Sequence, residues 1–154
     1  MPLKMEGIDE VRVDIQRMQR GVRDISDAGI PVAKYLGSEV RKQINSKGSH
    51  FGTPWAPLKP SYLQWKIQHG FPRTILVKTG DLRRSFVRPS DLIDATYPDK
   101  IVLRSKDFKA ILHQTGAGHL PIRPILKLTP DVKKGIREIV AGIVFGDGRG
   151  KRYV

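Results

Sequence analysis

At 154 residues, with 39% apolar and 28% charged side chains, the chain has the size and composition of one globular domain. It contains no cysteine, which excludes a disulfide framework, thiol nucleophiles and cysteine-based zinc sites. The formal charge of +13 is unevenly spread: residues 1–46 are nearly neutral, whereas residues 47–90 set eight basic residues against Asp81 alone. Such a concentration suits contact with a polyanion, or equally a solvated basic face.

In chain order, the first ten residues lack the apolar run of a signal peptide. Ile8, Val11, Ile15, Met18, Val22 and Ile25 then recur at spacings of three and four, one apolar stripe on a helix of about five turns. This register fits a coiled-coil seam of about three heptads, but packing on the chain's own domain is the preferred reading. Gly29 is expected to end that helix and Pro31 to begin the next, unless the two form one kinked rod. Val32, Tyr35, Leu36, Val40 and Ile44 give the second helix its apolar face, with a stop between Asn45 and Gly48.

Residues 47–60 hold three prolines and two glycines and cannot be regular; Trp55 is the natural buried anchor of this loop. Pro60 and Ser61 introduce a short helix through His69, with Tyr62, Leu63, Trp65 and Ile67 as its packing residues. Ile75, Leu76 and Val77 lead into the turn Thr79-Gly80-Asp81, and residues 82–87 form a short helix or strand. Residues 89–100 read as a polar connection whose strand content is left open, residues 101–104 as a β-branched strand, and residues 107–114 as a helix with Phe108, Ile111 and Leu112 inward.

Residues 111–126 follow as a helix end, a glycine turn at Gly116 and Gly118, and a proline-bracketed arginine. Pro121 and Pro124 fix their own φ and extend the residues before them, which predicts a stiff arm with Arg123 held out from it. Thr129-Pro130-Asp131 marks a helix start, and Val132, Ile136, Ile139, Val140 and Ile143 continue it as an amphipathic C-terminal helix. The organisation expected is a single α+β domain over residues 1–145, with a helical part (1–46), a motif-bearing part (47–145) and a flexible basic tail (146–154). The longest apolar run, residues 139–145, falls far short of the roughly 20 residues that span a bilayer, so no membrane partner is expected.

The residues that carry chemistry in other proteins do not assemble here into a reactive set. His113 and His119 lie six apart with no carboxylate between them, so a metal is not expected and His113 reads as a hydrogen-bonded structural residue. Ser85 lacks the glycine-flanked elbow of a serine nucleophile, and Asp91 and Asp94 sit in a surface-like stretch. Gly146 to Lys151 imitates a phosphate loop, but only three residues follow Lys151, too few for the helix such loops need. No enzyme and no cofactor are expected.

Three ordered segments resemble the bacteriophage virion morphogenesis family, the tail-completion proteins of Mu-like phages. They are Trp55-Ala56-Pro57-Leu58 with the helix carrying Lys66 and Gly70; Ile75-Leu76-Val77-Lys78-Thr79-Gly80-Asp81-Leu82-Arg83-Arg84-Ser85; and His113-Gln114-Thr115-Gly116 followed by Pro121-Ile122-Arg123-Pro124-Ile125-Leu126. The family often has an aromatic residue where Thr115 and Ile125 stand, and residues 89–100 match nothing in it.

The resemblance implies an α+β fold, with N-terminal amphipathic helices, a small antiparallel sheet and a C-terminal amphipathic helix. It implies a structural virion protein at the head–tail junction (tail completion, neck or tail terminator), present in the host cytoplasm during assembly. The partners implied are copies of itself in a ring, other neck, connector and tail-tube proteins, and transiently the DNA passing at ejection. A ring needs two different faces per subunit. One is expected to comprise Trp55, the turn Thr79-Gly80 with Leu82, and the arm residues His113, Gln114, Gly116, Arg123 and Pro124. Arg123 is expected to meet a carboxylate, on a neighbouring subunit or on its own chain. Lys78, Arg83, Arg84 and Arg88 are candidates for facing DNA in a lumen. The competing reading is a free basic nucleic-acid-binding protein, although the sequence offers neither a base-reading helix nor an interleaved aromatic platform.

Overall fold

The computed structural model describes residues 24–145. The stripe from Ile8 to Val22 and the basic tail therefore lie outside the described residues. Among the described residues, six α-helices and one two-stranded sheet make a mixed helix-and-sheet fold, in agreement with the class expected. After a single turn at Ser26–Ala28, α1 runs through Gly29–Asn45, with Val32, Ala33, Leu36, Val40 and Ile44 buried. Gly29 opens this helix instead of closing an earlier one. A Cβ there would lie 2.9 Å from the Thr96 methyl group, so the glycine lets α1 approach the sheet.

Between α1 and the next helix, the chain makes a turn at Ser49–Phe51 and then buries Trp55, as expected of a loop anchor. Helix α2 is Pro60–Gln68, α3 is Asp81–Arg84 and α4 is Pro89–Leu92. Strand β1 (Ile93–Thr96) pairs antiparallel with β2 (Ile101–Leu103), with an irregular register between Ile93 and Ala95. The stretch 89–100 is thus a helical turn, a strand and a hairpin turn closed by Tyr97 N–H donating to the Lys100 carbonyl at 2.8 Å. The strand content left open for this polar connection is therefore present, half-buried through Ile93 and Ala95 with polar residues alternating between them.

Helix α5 (Phe108–Thr115) begins under the Asp107 carboxylate, which accepts from the Lys109 amide at 3.0 Å. Its buried residue is Ala110; Phe108 and Ile111, expected inward, are 68% and 63% exposed. A single turn at Ala117–His119 leads to the arm, and α6 (Pro130–Val144) starts at Thr129, whose hydroxyl accepts from the Val132 amide at 3.3 Å.

The buried side chains form two cores. One gathers Val40, Ile44, Trp55, Ile75, Leu82, Phe86 and Ile125; the other places Val32 and Leu36 of α1 against Val132 and Ile139 of α6. Leu103 and Leu126 pack on both. Apolar burial at about 25 cal/mol per Å² is the main cohesive term in each. Helix α1 runs through both cores and joins them.

Candidate functional site

A groove of about 720 Å³ opens between α2, the segment leading to α3, and α5 with its following arm. It is lined from all three segments singled out in the sequence: Leu58 from the first, Lys78 to Leu82 from the second, and His113, Pro121 and Arg123 from the third. Segments separated by more than fifty residues in the chain are therefore neighbours around one cavity.

Arg123 is not held out. It is 5% exposed, and its guanidinium donates through Nε and Nη2 to the Ala56 carbonyl (3.3 and 3.1 Å) and through Nη2 to the Pro57 carbonyl at 3.3 Å. Its partners within the chain are main-chain oxygens of the Trp55 loop rather than a carboxylate. The inward turn follows from the arm's backbone: Arg123 N–H donates to the His113 carbonyl at 2.8 Å, which lays the arm along the end of α5. Gln114 completes the attachment, its Oε1 accepting from the amides of Ile125 (2.8 Å) and Leu126 (3.2 Å) and its Nε2 donating to the Leu126 carbonyl at 2.9 Å. One side chain thus supplies the pairing that a neighbouring strand would give. The Pro124 carbonyl accepts from both Gln43 Nε2 (2.9 Å) and Trp55 Nε1 (3.2 Å), which ties arm, loop and α1 at one oxygen.

Gly116 ends α5 at φ +75°, and a Cβ there would stand 2.7 Å from Ile122 Cγ1 and 3.0 Å from the Leu120 carbonyl. Both the left-handed conformation and the close return of the arm call for glycine. Gly80 plays a similar part at φ +84°, directly before α3. Beside it the exposed Asp81 carboxylate accepts from the Thr79 hydroxyl and from Arg84, and these bonds hold its pKa below the usual carboxylate value.

Lys66 enters the sequence reading only as part of the first segment, with no role of its own. It is 2% exposed on α2, and its ammonium donates to the carbonyls of Thr74 (2.8 Å) and Val77 (2.7 Å). Burial pushes its pKa below the ordinary lysine value. A lysine among surface-type neighbours gives no sign of this, because lysine is almost never buried. The aromatic residues around it, expected to pack inward, instead stack on one another. Trp65 lies 5.7 Å from Tyr62, 4.5 Å from His69 and 5.5 Å from Phe71, with Lys78 Nζ 4.8 Å from the Trp65 ring centre. An aromatic cluster with an interleaved lysine therefore exists where none was expected, although its rings spend much of their faces on each other.

His113 is half-buried and lines the groove, and its Nδ1 has no hydrogen-bond partner among the described residues. The expected structural hydrogen bond from the ring at that nitrogen is absent. Burial, then the nearby Arg123 charge, lowers its pKa, with Asp107 acting in the opposite sense.

Of the remaining residues singled out, Trp55 and Leu82 are buried in the chain's own core, Pro124 is half-buried, and Thr79 is exposed. Lys78, Arg83, Arg84 and Arg88 are all exposed, with Lys78 over aromatic rings and Arg84 paired to Asp81. Asp91 and Asp94 are engaged separately, with Lys106 at 3.9 Å and Arg104 at 3.3 Å. Among the described residues no three metal-ligating side chains come together, and no helix is long and apolar enough to cross a membrane.

Compared with known proteins, the chain matches the model of the phage virion morphogenesis family over residues 7–144. No curated protein and no solved structure matches it.

Proposed function

The chain belongs to the phage virion morphogenesis family, a structural component of the virion, and on that premise we propose that it acts at the head–tail junction, completing the tail or neck as a ring or as ring-bound copies, without catalysis. The observation that carries the reading is the apolar surface beside the groove. Phe108, Ile111 and Ile122 are each more than 60% exposed on α5 and the arm. Phe108 and Ile111 stand three apart, on one side of α5, and large apolar side chains left in the open there mark an interaction surface.

Thr79, Gly80 and Gln114 border this surface and belong to the contact. Trp55, Leu82, His113, Gly116, Arg123 and Pro124 serve it by fixing the shape of the loop and arm. The neighbours are copies of the chain and other neck, connector and tail-tube proteins. The exposed cations Arg83 and Arg88, with Lys78 and Arg84, meet the passing DNA weakly, since tight binding would stall transit.

Electron microscopy and mass measurement of the purified protein, alone and mixed with tails, test the assembly. A closed ring, or density at the head-proximal end of the tail, is expected, and the pair F108E/I111E removes it without unfolding the subunit. A monomer that binds DNA with steep salt dependence would favour the alternative, a free nucleic-acid-binding protein, to which the stacked Tyr62, Trp65 and Phe71 lend some support. Charge reversal at Arg83 and Arg88 is expected to block genome release from assembled particles; normal release would exclude the DNA contact.

A further inference from the structure

The groove walls combine aliphatic surface with positive charge that lacks a counter-ion. Leu58, Leu76, Leu82, Leu112 and Leu120 supply the aliphatic part. Lys66 and Arg123 stand in the wall as two buried cations whose partners are carbonyl oxygens alone. Lys59, Lys78 and Lys109 add exposed positive charge at the rim. Asp81 is the one acidic residue of the lining, and Thr79 and Arg84 already occupy it.

Carbonyl dipoles offset only part of the desolvation of a buried cation, and a carboxylate is the stronger partner. Lys66 has three N–H donors, of which two are used within the chain. The Arg123 Nη1 group has no hydrogen-bond partner among the described residues.

We infer that the groove receives an extended segment of another virion protein, one that places a carboxylate between apolar side chains. The carboxylate meets the Lys66–Arg123 wall, and the flanking apolar side chains fill the leucine-lined space. A volume of about 720 Å³ falls within the roughly 300–1,000 Å³ usual for ligand pockets. A nucleic-acid strand fits the same charge less well, because it seeks open aromatic faces and an exposed cationic track. Here five leucines and Val77 outnumber the two aromatic residues Tyr62 and Phe108, the Tyr62 ring is stacked on Trp65, and two of the cations are buried. Only the identity of the partner as a virion protein rests on the function proposed above; the groove's preference for a carboxylate does not.

Fluorescence polarisation with the full chain tests this, using a labelled peptide of alternating leucine and aspartate and its leucine–asparagine counterpart. The acidic peptide is expected to bind at least about tenfold more tightly than the amide form, a preference weakened by salt. K59E/K109E, which alters exposed rim residues only, is expected to lose most of that preference with an unchanged Tm. Equal affinity for the two peptides, or full binding by K59E/K109E, would overturn the assignment. So would displacement of the peptide by a shorter concentration range of oligothymidylate than of unlabelled peptide. Tighter binding of a synthetic peptide of residues 5–12, which carries Glu6, Asp9 and Glu10, would give the groove to a second copy and overturn the choice of a different partner. Failure to form rings leaves all these readouts intact, so the two proposals fail separately.

Discussion

The two cores of this molecule are held together by different means. Where α1 meets α6, cohesion comes from apolar stripes, Val32 and Leu36 against Val132 and Ile139. Around the groove, between the short helices α2, α3 and α5, side chains reach to main-chain atoms elsewhere in the chain. Gln43, Trp55, Lys66, Gln114 and Arg123 all bond in this way, the longest link, Gln43 to Pro124, spanning 81 positions. Area burial tolerates exchange of one apolar shape for another, whereas a directional bond is lost with its donor. The groove half is therefore built to hold a shape, and the helical half to hold the chain together.

The sharpest probe of this difference is Trp55→Ala, which removes both a buried ring and a donor to Pro124; a loss of about 3–5 kcal/mol is expected in urea unfolding. Next comes Arg123→Met, which keeps much of the side-chain length but leaves the Ala56 and Pro57 carbonyls without their donor. It should cost about 1–3 kcal/mol, more than the volume-conserving Ile139→Leu in the helical half, expected below about 1.5 kcal/mol. If the two variants unfold at the same denaturant concentration, the distinction between the halves fails.

Two helical glycines, Gly37 on α1 and Gly135 on α6, offer a comparison of similar size. At Gly37 a Cβ would lie 2.4 Å from the Phe86 carbonyl oxygen, part of the backbone leading to α4. At Gly135 it would meet the ring end of Tyr35, a side chain rather than backbone. Gly37→Ala should lose about 1–3 kcal/mol. Gly135→Ala should lose less, since the better helix propensity of alanine, about 1 kcal/mol, offsets the clash. Thermal melts of the two variants give the order directly.

The smallest expected effect is on pH dependence, and it again divides by region. His113 by the groove has a lowered pKa, so the unfolded chain binds the proton more readily. Stability is complete above the ordinary histidine value, about 6.5, and declines as pH falls from there through the folded value. Glu39 on α1 is also lowered: burial opposes ionisation, but hydrogen bonds from Lys42 (2.7 Å) and His50 (2.6 Å) outweigh it. Its contribution is present above the ordinary carboxylate range and is lost at lower pH, as pH falls through the folded value. Melting temperatures against pH should thus fall on acidification in two limbs, the upper flattened by H113Q and the lower by E39Q. An upper limb unchanged in H113Q would refute the role given to His113.

The helical half was largely legible in the sequence. Periodicity identified the apolar faces of α1 and α6, and Thr129-Pro130-Asp131 marked the start of α6, because helix signals are local. The strand β2 followed from its β-branched run, whereas β1 was hidden by Asp94 and Thr96 on its outer positions. The groove was legible only as a set of motifs. Arg123 turns inward because carbonyls 66 and 67 positions away await it, a fact that no local pattern encodes. Phe108 and Ile111 looked like core residues and are exposed instead, since the small Ala110 is the residue that α5 buries. Lys66 carries the same lesson, a surface-type residue made internal by a turn that forms only after folding.

The carbonyl cage around Lys66 also gives the molecule a chemical signature. An amine enclosed in this way is shielded from acylating reagents, while exposed lysines such as Lys59, Lys109 and Lys133 are open to them. Any opening of the turn between Thr74 and Val77 would break these two bonds and expose the amine to reagent. The order in which lysines are labelled, read by mass spectrometry, would then follow the integrity of this one turn residue by residue, in the free subunit and in the assembled particle alike.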